Sequence, residues 1–276
     1  MAVVGGGTMG VGIAYRFAVS GWAVRLADVD LVAAEAAVSK VRAVIEGSVD
    51  RGRLGRAEAD EAGSRLSAVG SVSDLPLGLD LIVESVFEDE VVKKPVLLAG
   101  EERRPDVLAS NTSGISIDRL ATGLSRPEHF AGMHFFNPVW AIHLVEVVRG
   151  SATSEATIST IRATVGSLGM EAAVVNDSPG FASTRLGIVL GLEAIRMVEE
   201  GVATAEAIDL AMELGYRHPM GPLRTGDLVG LDVRLAIAEH LAAVYGERFA
   251  PPQLLRDMVA EGKLGKKSGR GFYEWE

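Results

Sequence analysis

Short apolar runs alternate with longer amphipathic segments through residue 178 of the chain. The runs are rich in valine, leucine and alanine, which is typical of strands buried on both faces of a parallel sheet. The segments between them repeat apolar residues with helical spacing, as in 9–20 and 32–47. Strand alternating with helix in this way predicts a doubly wound, mostly parallel α/β sheet. The predicted strands are residues 3–4, 23–27, 66–69, 79–83, 107–110, 132–134, 144–148 and 172–175.

The pattern changes after NDSPG, residues 176–180, where strand candidates stop. Helical spacing then predicts four helices, over 181–201, 204–214, 231–245 and 252–261. HPMGP, residues 218–222, reads as a rigid connector, because its two prolines and glycine stop a helix. We therefore predict an α/β domain over 1–178 and an all-α domain over 179–276.

The net charge of −10 over 276 residues limits the partners that the surface can bind. Binding to nucleic acid or to an anionic membrane rests on basic patches, so neither partner is expected. An anionic small ligand remains compatible with local basic groups. The chain has no cysteine, which excludes disulfides, thiolate metal sites and cysteine nucleophiles. Acid–base chemistry must come from five histidines and the carboxylates.

The apolar residues of the chain do not form a membrane segment. No uncharged apolar run reaches about 18 residues, the length at which a transmembrane helix is expected. The first residues lack the basic region of a secretory signal, and glycines interrupt their apolar stretch. We therefore expect a cytoplasmic protein.

Glycine occupies five of the eight positions in GGGTMGVG, residues 5–12, directly after the first predicted strand. Gly5, Gly7 and Gly10 match G-x-G-x-x-G at a strand-to-helix turn, a pattern that binds the pyrophosphate of a dinucleotide. The helix start supplies N–H groups and a positive field for the phosphates. The predicted cofactor loop therefore includes Thr8 and Met9.

Asp28 ends the second predicted strand, 18 residues after Gly10. A carboxylate at this point accepts hydrogen bonds from the ribose hydroxyls and repels a 2′-phosphate, which favours NAD over NADP. The alternative is a glycine-rich loop that binds no ligand. A P-loop is not expected, because the spacing G-x-x-x-x-G-K-[ST] does not occur.

Polar residues suited to catalysis gather in HFAGMHFFNPVWAIHLVEVV, residues 129–148. Oxidation of an alcohol needs a base for the hydroxyl proton, and histidine, with an unperturbed pKa of about 6.5, suits this role. A carboxylate on the second ring nitrogen would fix the tautomer and stabilise the imidazolium. We predict this pairing for His134 and Glu146, since a strand ending at the histidine and a strand through the glutamate would bring them together.

Other interpretations of the same segment remain open. His134 alone would more often be a structural histidine than a catalytic one. His129, His143 and Glu146 could join it around a metal, but the spacing fits no H-x-x-x-H helix face and no H-E-x-x-H occurs. We therefore predict no metal. Asn137-Pro138 is typical of a turn, which does not exclude a contact role for the asparagine.

Six motifs, in order along the whole chain, resemble those of the L-3-hydroxyacyl-CoA dehydrogenase family. They are GGGTMG, SNTSGISI, HFFNPVWAIHLVEVV, DSPGF, HPMGPLRTGDLVGLD and KLGKKSGRGFYEW. HFFNP followed by LVEVV is specific to this group, which includes 3-hydroxybutyryl-CoA dehydrogenases. The resemblance implies a Rossmann-like NAD-binding domain, with a helical hairpin after its second strand, and an all-α C-terminal domain that forms homodimers and serves the substrate.

The resemblance also implies roles for individual residues. His134 matches the catalytic base, and Glu146 matches the carboxylate that orients it. Ser113 and Asn137 match residues that contact substrate and nicotinamide. The further matches to cofactor-binding positions are Glu88, Lys93 and Lys267.

Two departures from the family pattern concern the substrate site. PGFASTR places Thr184 where the family has asparagine, and a threonine hydroxyl reaches less far than an amide, but we still predict a substrate contact. The hairpin has Val44 and Ile45 where the family has a serine that contacts CoA. Arg51 or Arg53 could contact a phosphate or pantetheine in its place, and we predict Arg51; the alternative is that these are solvated surface arginines.

The function that the resemblance implies is reversible, NAD-dependent oxidation of a (3S)-3-hydroxyacyl-CoA, of short chain, to the 3-oxoacyl thioester. Two enzymatic alternatives are a dehydrogenase of free 3-hydroxy or sugar acids, similar to L-gulonate dehydrogenase, and one acting on carrier-protein-bound hydroxyacyl groups. A non-catalytic NAD-binding structural protein is the alternative from another class. The pairing of His134 with Glu146 argues against it.

Overall fold

The computed structural model describes residues 1–276 and divides them into two units, Met1–Ser178 and Pro179–Glu276. The first unit combines strands and helices, and the second is built from helices. None of the helices in the chain combines the length and the apolar character needed to cross a membrane.

The first unit is built on one eight-stranded sheet with the order β3-β2-β1-β4-β5-β6-β7-β8. All neighbouring strands are parallel except β6 and β7, which are antiparallel. This arrangement confirms the predicted mostly parallel, doubly wound sheet. The strands are Ala2–Val4 (β1), Val24–Ala27 (β2), Leu66–Val69 (β3), Leu81–Glu84 (β4), Val107–Ser110 (β5), Phe130–Phe135 (β6), Leu144–Arg149 (β7) and Glu171–Asn176 (β8).

Six helices accompany this sheet, and four of them bury apolar residues in one shared core: Thr8–Val19, Leu31–Asp50, Arg56–Ser64 and Glu155–Ser167. The helical excursion after β2 is two helices, because the chain turns over 51–55 and the side chain of Glu58 accepts from the amide of Gly55 to start the second one. The helices are Thr8–Val19 (α1), Leu31–Asp50 (α2), Arg56–Ser64 (α3), Glu90–Glu101 (α4), Ile117–Ala121 (α5) and Glu155–Ser167 (α6).

The strand order reverses at β1, which lies between β2 and β4. The chain therefore leaves β1 and β4 in different directions and opens a crevice at the carboxyl ends of these strands, where open α/β sheets bind ligands. The carboxyl ends of β5 and β6 lie at the same edge, since both strands are parallel to β4 in this sheet. The antiparallel β7 starts at this edge and runs back beside β6.

The second unit has a core of its own, formed by residues such as Leu192, Leu231 and Leu241. HPMGP does stop one helix, but Pro222 also begins another, which the sequence pattern did not predict. Proline fits the first turn of a helix, where its missing N–H has no partner to lose. Asp209 accepts from the amides of Leu223 and Arg224 at the same helix start. The helices are Ser183–Glu199 (α7), Ala205–Gly215 (α8), Pro222–Val229 (α9), Leu231–Tyr245 (α10) and Gln253–Ala260 (α11).

Candidate active site

A cavity of about 750 Å³ opens at the carboxyl edge of the sheet in the first unit. Five loops line it, those that follow β1, β2, β4, β5 and β6. The lining includes Gly5–Met9, Asp28 and Val29, 85–88, Asn111 and Ser113, and 134–137. The glycine loop and the histidine of HFFNP, which are more than a hundred residues apart in sequence, therefore face one space.

The glycine loop is made of backbone that side chains would obstruct. Gly5 has a φ of +102°, and a Cβ on it would lie 2.6 Å from the carbonyl oxygen of Ser85. A Cβ on Gly10 would lie 1.8 Å from the oxygen of Gly5. Gly7 faces open space, and α1 starts directly after it with no side chain capping its amides. The loop is thus shaped to let a ligand approach bare main chain at a helix start.

Asp28 follows β2 and lines the cavity beside the glycine loop. Its two carboxylate oxygens accept from the amides of Gly6 and Val29, each at 2.7 Å. These two bonds fix the plane of the carboxylate, while each oxygen retains a lone pair for a further donor. A Cβ on Gly6 would lie 2.3 Å from the Cβ of Ala37 and 2.8 Å from the Asp28 carboxylate, so glycine at position 6 makes room for both residues.

A buried ion pair that the sequence analysis did not single out holds the loop after β4. Glu84, the last residue of β4, is fully buried, and Lys93 of α4 is 1% exposed. The two charged groups lie 2.7 Å apart. The Glu84 carboxylate also accepts from the Ser110 hydroxyl at 2.5 Å and from the Val86 amide at 2.6 Å. Its buried charge is therefore met by a cation and two further donors, as burial requires.

Lys93 lines the cavity, but its ammonium is directed at protein groups. Besides Glu84, it lies 3.3 Å from the carbonyl oxygen of Val86 and 3.2 Å from the Glu88 carboxylate. An ammonium has three N–H donors, so each has an acceptor from the protein. The contacts of Lys93 join the end of β4, the loop after it and Glu88 into one unit.

Glu88 in turn holds the loop after β5. One of its oxygens accepts from the Thr112 hydroxyl at 2.6 Å, the Ser113 amide at 2.8 Å and the Ser113 hydroxyl at 3.1 Å. Burial alone would raise the pKa of Glu88, but the charge of Lys93 and the bonds from Thr112 and Ser113 outweigh it and lower that pKa. Glu88 is therefore a carboxylate at neutral pH, and the Ser113 hydroxyl proton is directed at it.

His134, which lines the cavity, is hydrogen-bonded to Glu146 behind it. They are register partners on the antiparallel strands β6 and β7, which places their side chains on the same face of the sheet. The His134 Nδ1 lies 2.9 Å from the Glu146 carboxylate, and both side chains are buried. Because a carboxylate only accepts, Nδ1 carries the proton and Nε2 is the basic nitrogen of the neutral ring. The Phe136 ring packs against the imidazole with centroids 4.4 Å apart.

The remaining predicted site residues fall into two groups. Asn137, joined to Pro138 by a cis peptide bond, lines the cavity with His134. Arg51 is an exposed residue at the end of α2, outside the cavity lining. Thr184, in the first turn of α7, and Lys267, whose ammonium pairs with Asp232, belong to the second unit. For these three residues the assignments stay predictions.

The other two histidines of the segment lie apart from this pair. The Nδ1 of His129 lies 2.9 Å from the carbonyl oxygen of Asp106, and that of His143 lies 3.3 Å from the carbonyl oxygen of Gly169. The structure brings no group of three or more histidine, cysteine, aspartate or glutamate side chains into an arrangement that could hold a metal.

The burial of Glu84 was not predicted, because the neighbouring sequence shows only one acidic residue at the end of an apolar run. The signal available in the sequence was its combination with Lys93, one acidic and one basic residue nine positions apart across a strand-to-helix turn. A turn of that kind brings the end of a strand close to the first turn of the next helix. Neither residue alone indicates burial.

Comparison with known proteins agrees with this geometry. Residues 1–178 match the family model of the 3-hydroxyacyl-CoA dehydrogenase NAD-binding domain, and residues 180–275 match that of its C-terminal domain. The chain is 41% identical to a probable 3-hydroxybutyryl-CoA dehydrogenase of Bacillus subtilis (strain 168), covering 99% of this chain and 96% of that protein. It is 39% identical to the 3-hydroxybutyryl-CoA dehydrogenase of Clostridioides difficile, covering 100% and 99%.

Solved structures give the same result. The crystal structure of (S)-3-hydroxybutyryl-CoA dehydrogenase from Ralstonia eutropha superimposes with a TM-score of 0.94 at 38% identity, covering 100% of this chain and 98% of that one. These matches confirm the predicted fold, the NAD cofactor and the family resemblance. The chain belongs to the 3-hydroxyacyl-CoA dehydrogenase family and is an oxidoreductase with an NAD-binding domain.

Proposed function

We propose that this protein catalyses the reversible, NAD-dependent oxidation of (3S)-3-hydroxyacyl-CoA to 3-oxoacyl-CoA, with short chains such as 3-hydroxybutyryl-CoA as substrates. The observation that carries the proposal is that His134 lines the same cavity as the glycine loop and is paired there with the buried Glu146. The names of the relatives in Bacillus subtilis, Clostridioides difficile and Ralstonia eutropha support the choice of substrate.

The residues of the cavity fit a dinucleotide. The bare backbone of Gly5–Met9 and the uncapped start of α1 suit its two phosphates, and the pre-oriented Asp28 carboxylate suits a ribose diol. When bound, NAD⁺ supplies the acceptor for the hydride that leaves the substrate carbon. We assign cofactor contacts to Glu88 on the cavity wall and to Asn137 near the histidine.

His134 is the proposed base. The neutral ring takes the proton of the substrate hydroxyl on Nε2 and becomes an imidazolium, and in the reverse direction it returns that proton. Glu146 holds the ring in the required tautomer through Nδ1 and stabilises its positive charge. Because the carboxylate is buried, this stabilisation is stronger than it would be in water.

Asn137 and Ser113 are the proposed contacts to the substrate oxygen. The side-chain amide of Asn137 has two N–H donors, and one of them can bond to that oxygen while the other stays available. Ser113 has a single hydroxyl proton, which is directed at Glu88 at 3.1 Å. The serine must therefore turn this proton from Glu88 to the substrate oxygen when it donates, and Glu88 keeps the Ser113 amide as a partner during the exchange.

Lys93 is assigned an indirect role in cofactor binding. Since its three donors are directed at Glu84, Val86 and Glu88, it supports the cavity wall rather than reaching into the cavity. The resemblance places Lys93 among the cofactor-binding residues, and we propose that it serves that site through Glu88 and the loop after β4. Glu84 is the partner that holds this buried ammonium in place.

We also propose that the protein forms a homodimer through its second unit. Leucines four positions apart on α7 and on α8 leave apolar side chains exposed on that unit, as Leu186, Leu190, Leu210 and Leu214. Exposed apolar patches of this kind mark protein interfaces. Analytical ultracentrifugation should give about twice the 29.1 kDa mass of the chain, and Leu186→Glu with Leu214→Glu should shift it toward the monomer. A monomeric wild type would contradict the dimer.

The experiment that tests the function follows NADH formation with one enzyme preparation and a panel of substrates. The panel holds (S)- and (R)-3-hydroxybutyryl-CoA, longer 3-hydroxyacyl-CoA thioesters, a carrier-protein thioester, free 3-hydroxybutyrate and L-gulonate. We expect the highest kcat/KM for the short (S)-thioester, and a loss of about 1,000-fold or more in kcat for His134→Ala. Preference for a free acid would reject the thioester assignment, and unchanged turnover in His134→Ala would reject the mechanism.

A further inference from the structure

One glycine of GGGTMGVG takes no part in the dinucleotide loop. Gly12 lies within α1, where glycine costs roughly 0.5–1 kcal/mol relative to alanine. A Cβ on Gly12 would lie 2.8 Å from Cγ2 and 3.0 Å from Cβ of Val139. Val139 is 2% exposed, so its side chain occupies the space that any other residue at position 12 would need.

Val139 cannot easily yield to a larger neighbour. Valine branches at Cβ and has few allowed rotamers, and the atom at 3.0 Å is that Cβ itself, next to the backbone. Protein cores are closely packed in general, so a methyl group added to one forces neighbouring atoms to shift. A side chain at position 12 would therefore displace the backbone of Val139.

The segment that contains Val139 joins β6 to β7 and carries Asn137. The carbonyl oxygen of Pro138 accepts from the amides of Ala141 and Ile142, at 2.9 and 3.1 Å, so this segment is one hydrogen-bonded turn. A shift at Val139 therefore reaches Asn137, two residues earlier in the chain. The turn has a second contact with α1 one helical turn after Gly12, where Trp140 meets the edge of Tyr15 with ring centroids 6.1 Å apart.

We propose that Gly12 is a positioning residue: because it has no side chain, Val139 can pack against α1, and this contact fixes Asn137 beside His134. Helix α1 begins at the glycine loop and receives this turn on its side, so one rigid element positions both sides of the cavity. The inference rests on the proposed function in one respect, the assignment of a substrate contact to Asn137. It extends that function by giving a catalytic purpose to a glycine outside G-x-G-x-x-G.

The test compares three variants with the wild type. Gly12→Ala introduces the contact, and Gly12→Ala with Val139→Ala removes the atoms that it meets. Gly166→Ala is the matched control, since Gly166 is also helical and nothing lies within 4 Å of its Cβ position. The measurements are kcat and KM on the substrate that the wild type oxidises fastest, and the Kd of NADH from its fluorescence.

For Gly12→Ala we expect kcat to fall about 10- to 100-fold, as for other small displacements of a positioning group, with the Kd of NADH changed by less than about threefold. The double variant should recover most of the lost kcat, and Gly166→Ala should match the wild type. Val139→Ala alone weakens the contact between this turn and α1, and it should lower kcat severalfold at unchanged NADH affinity. That single variant serves as the test if Gly12→Ala does not fold.

Three results would overturn the inference. They are a kcat within twofold of the wild type in Gly12→Ala, a parallel loss of NADH binding that places the damage in the dinucleotide loop, and no recovery in the double variant. If Gly12→Ala does not fold, a wild-type kcat in Val139→Ala overturns it. Failure of the proposed function is distinguishable, because it would appear in the substrate preference of the wild type and of Gly166→Ala.

Discussion

Two carboxylates are buried in the same sheet, and each is paired with a different kind of basic side chain. Glu84 at the end of β4 is paired with the ammonium of Lys93, whereas Glu146 on β7 is paired with the imidazole of His134, whose second ring nitrogen can accept a proton. Both acids are almost completely buried and both bond their partner at under 3 Å. The partner therefore decides the role of each acid.

The hydrogen bonds and the ion pair of Glu84 hold the loop after β4 in place. The bonds of Glu84 to Lys93, Ser110 and Val86 tie two strand ends and one helix together, and none of these groups has to change protonation. The Glu146 region has one partner in the cavity that can take up and release a proton. We therefore expect mutations of Glu84 to lower mainly the free energy of unfolding, and mutations of Glu146 to lower mainly kcat.

The largest effect is expected for Glu146→Gln. The amide is close in size to the carboxylate, but it can donate to Nδ1 and select the tautomer in which Nε2 carries the proton and cannot act as base. We expect kcat to fall about 1,000-fold, equivalent to about 4 kcal/mol. The free energy of unfolding should change by less than about 1.5 kcal/mol, since a neutral hydrogen bond replaces the charged one. Steady-state kinetics and urea unfolding of the same preparation measure both quantities.

Glu146→Asp is the matched control for that variant. It keeps the charge and shortens the side chain, so it should retain the tautomer and lose only part of the activity. A Glu146→Gln enzyme that unfolds far more easily while keeping its kcat would reverse the roles given to the two acids.

Glu84→Gln should have the next largest effect, and on stability. It leaves the Lys93 ammonium, 1% exposed, with Glu88 as its remaining carboxylate neighbour. Removing one partner of a buried ion pair costs about 3–5 kcal/mol, and we expect about 3 kcal/mol in urea unfolding because Glu88 compensates in part. The KM for NAD⁺ should rise, since Glu88 and the loop after β4 lose their support.

The double variant Glu84→Gln with Lys93→Met sharpens this result. Removing both charges should restore much of the lost stability, because no uncompensated ion remains. If Glu84→Gln alone unfolds like the wild type, the ion pair does not support the loop. If the double variant is less stable than the single one, Lys93 is held by groups other than Glu84.

The smallest effect concerns Glu88, which lies between the two regions. Its folded pKa is lowered, so ionised Glu88 contributes stability that is present above the unfolded value of about 4.3 and is lost as the pH falls through the folded pKa. Because its side chain is 41% exposed, the contribution should stay below about 1 kcal/mol.

The measurement for Glu88 is the urea midpoint of the wild type and of Glu88→Gln between pH 7 and pH 3. The wild type should be slightly more stable at pH 7, and the two curves should converge at the acid end. A difference that persists unchanged at pH 3 would show that the carboxylate charge is not its source.

Much of the fold could be predicted because its signals are local. The strand 107–110 and the helix 231–245 have the predicted bounds, since an apolar run between turn residues and a helical period are readable within a short window. The helix over Pro222–Val229 was missed, because proline both stops helices and starts them, and only the contacts to Asp209 decide between the two here.

The part of the candidate site that short sequence motifs encode could be predicted. The glycine spacing with Asp28, and HFFNP with LVEVV, named the residues that the structure brings around one cavity. Glu84 was not readable, because a single acid at a strand end carries no sign of burial. The direction of the Lys93 ammonium could not be predicted from the sequence either, since it depends on the path of the loop that carries its acceptors Glu84, Val86 and Glu88.

The sequence by itself determined the order of the eight strands, the dinucleotide loop and the residues proposed for acid–base chemistry, because these depend on periodicity and on residue type at fixed spacing. The tertiary structure decided the register that pairs His134 with Glu146, the burial of Glu84 with Lys93, and the seat of Val139 against Gly12. Each of these is a contact between segments far apart in sequence or across a turn. Such contacts depend on how strands align and side chains pack, and these are set by the core as a whole.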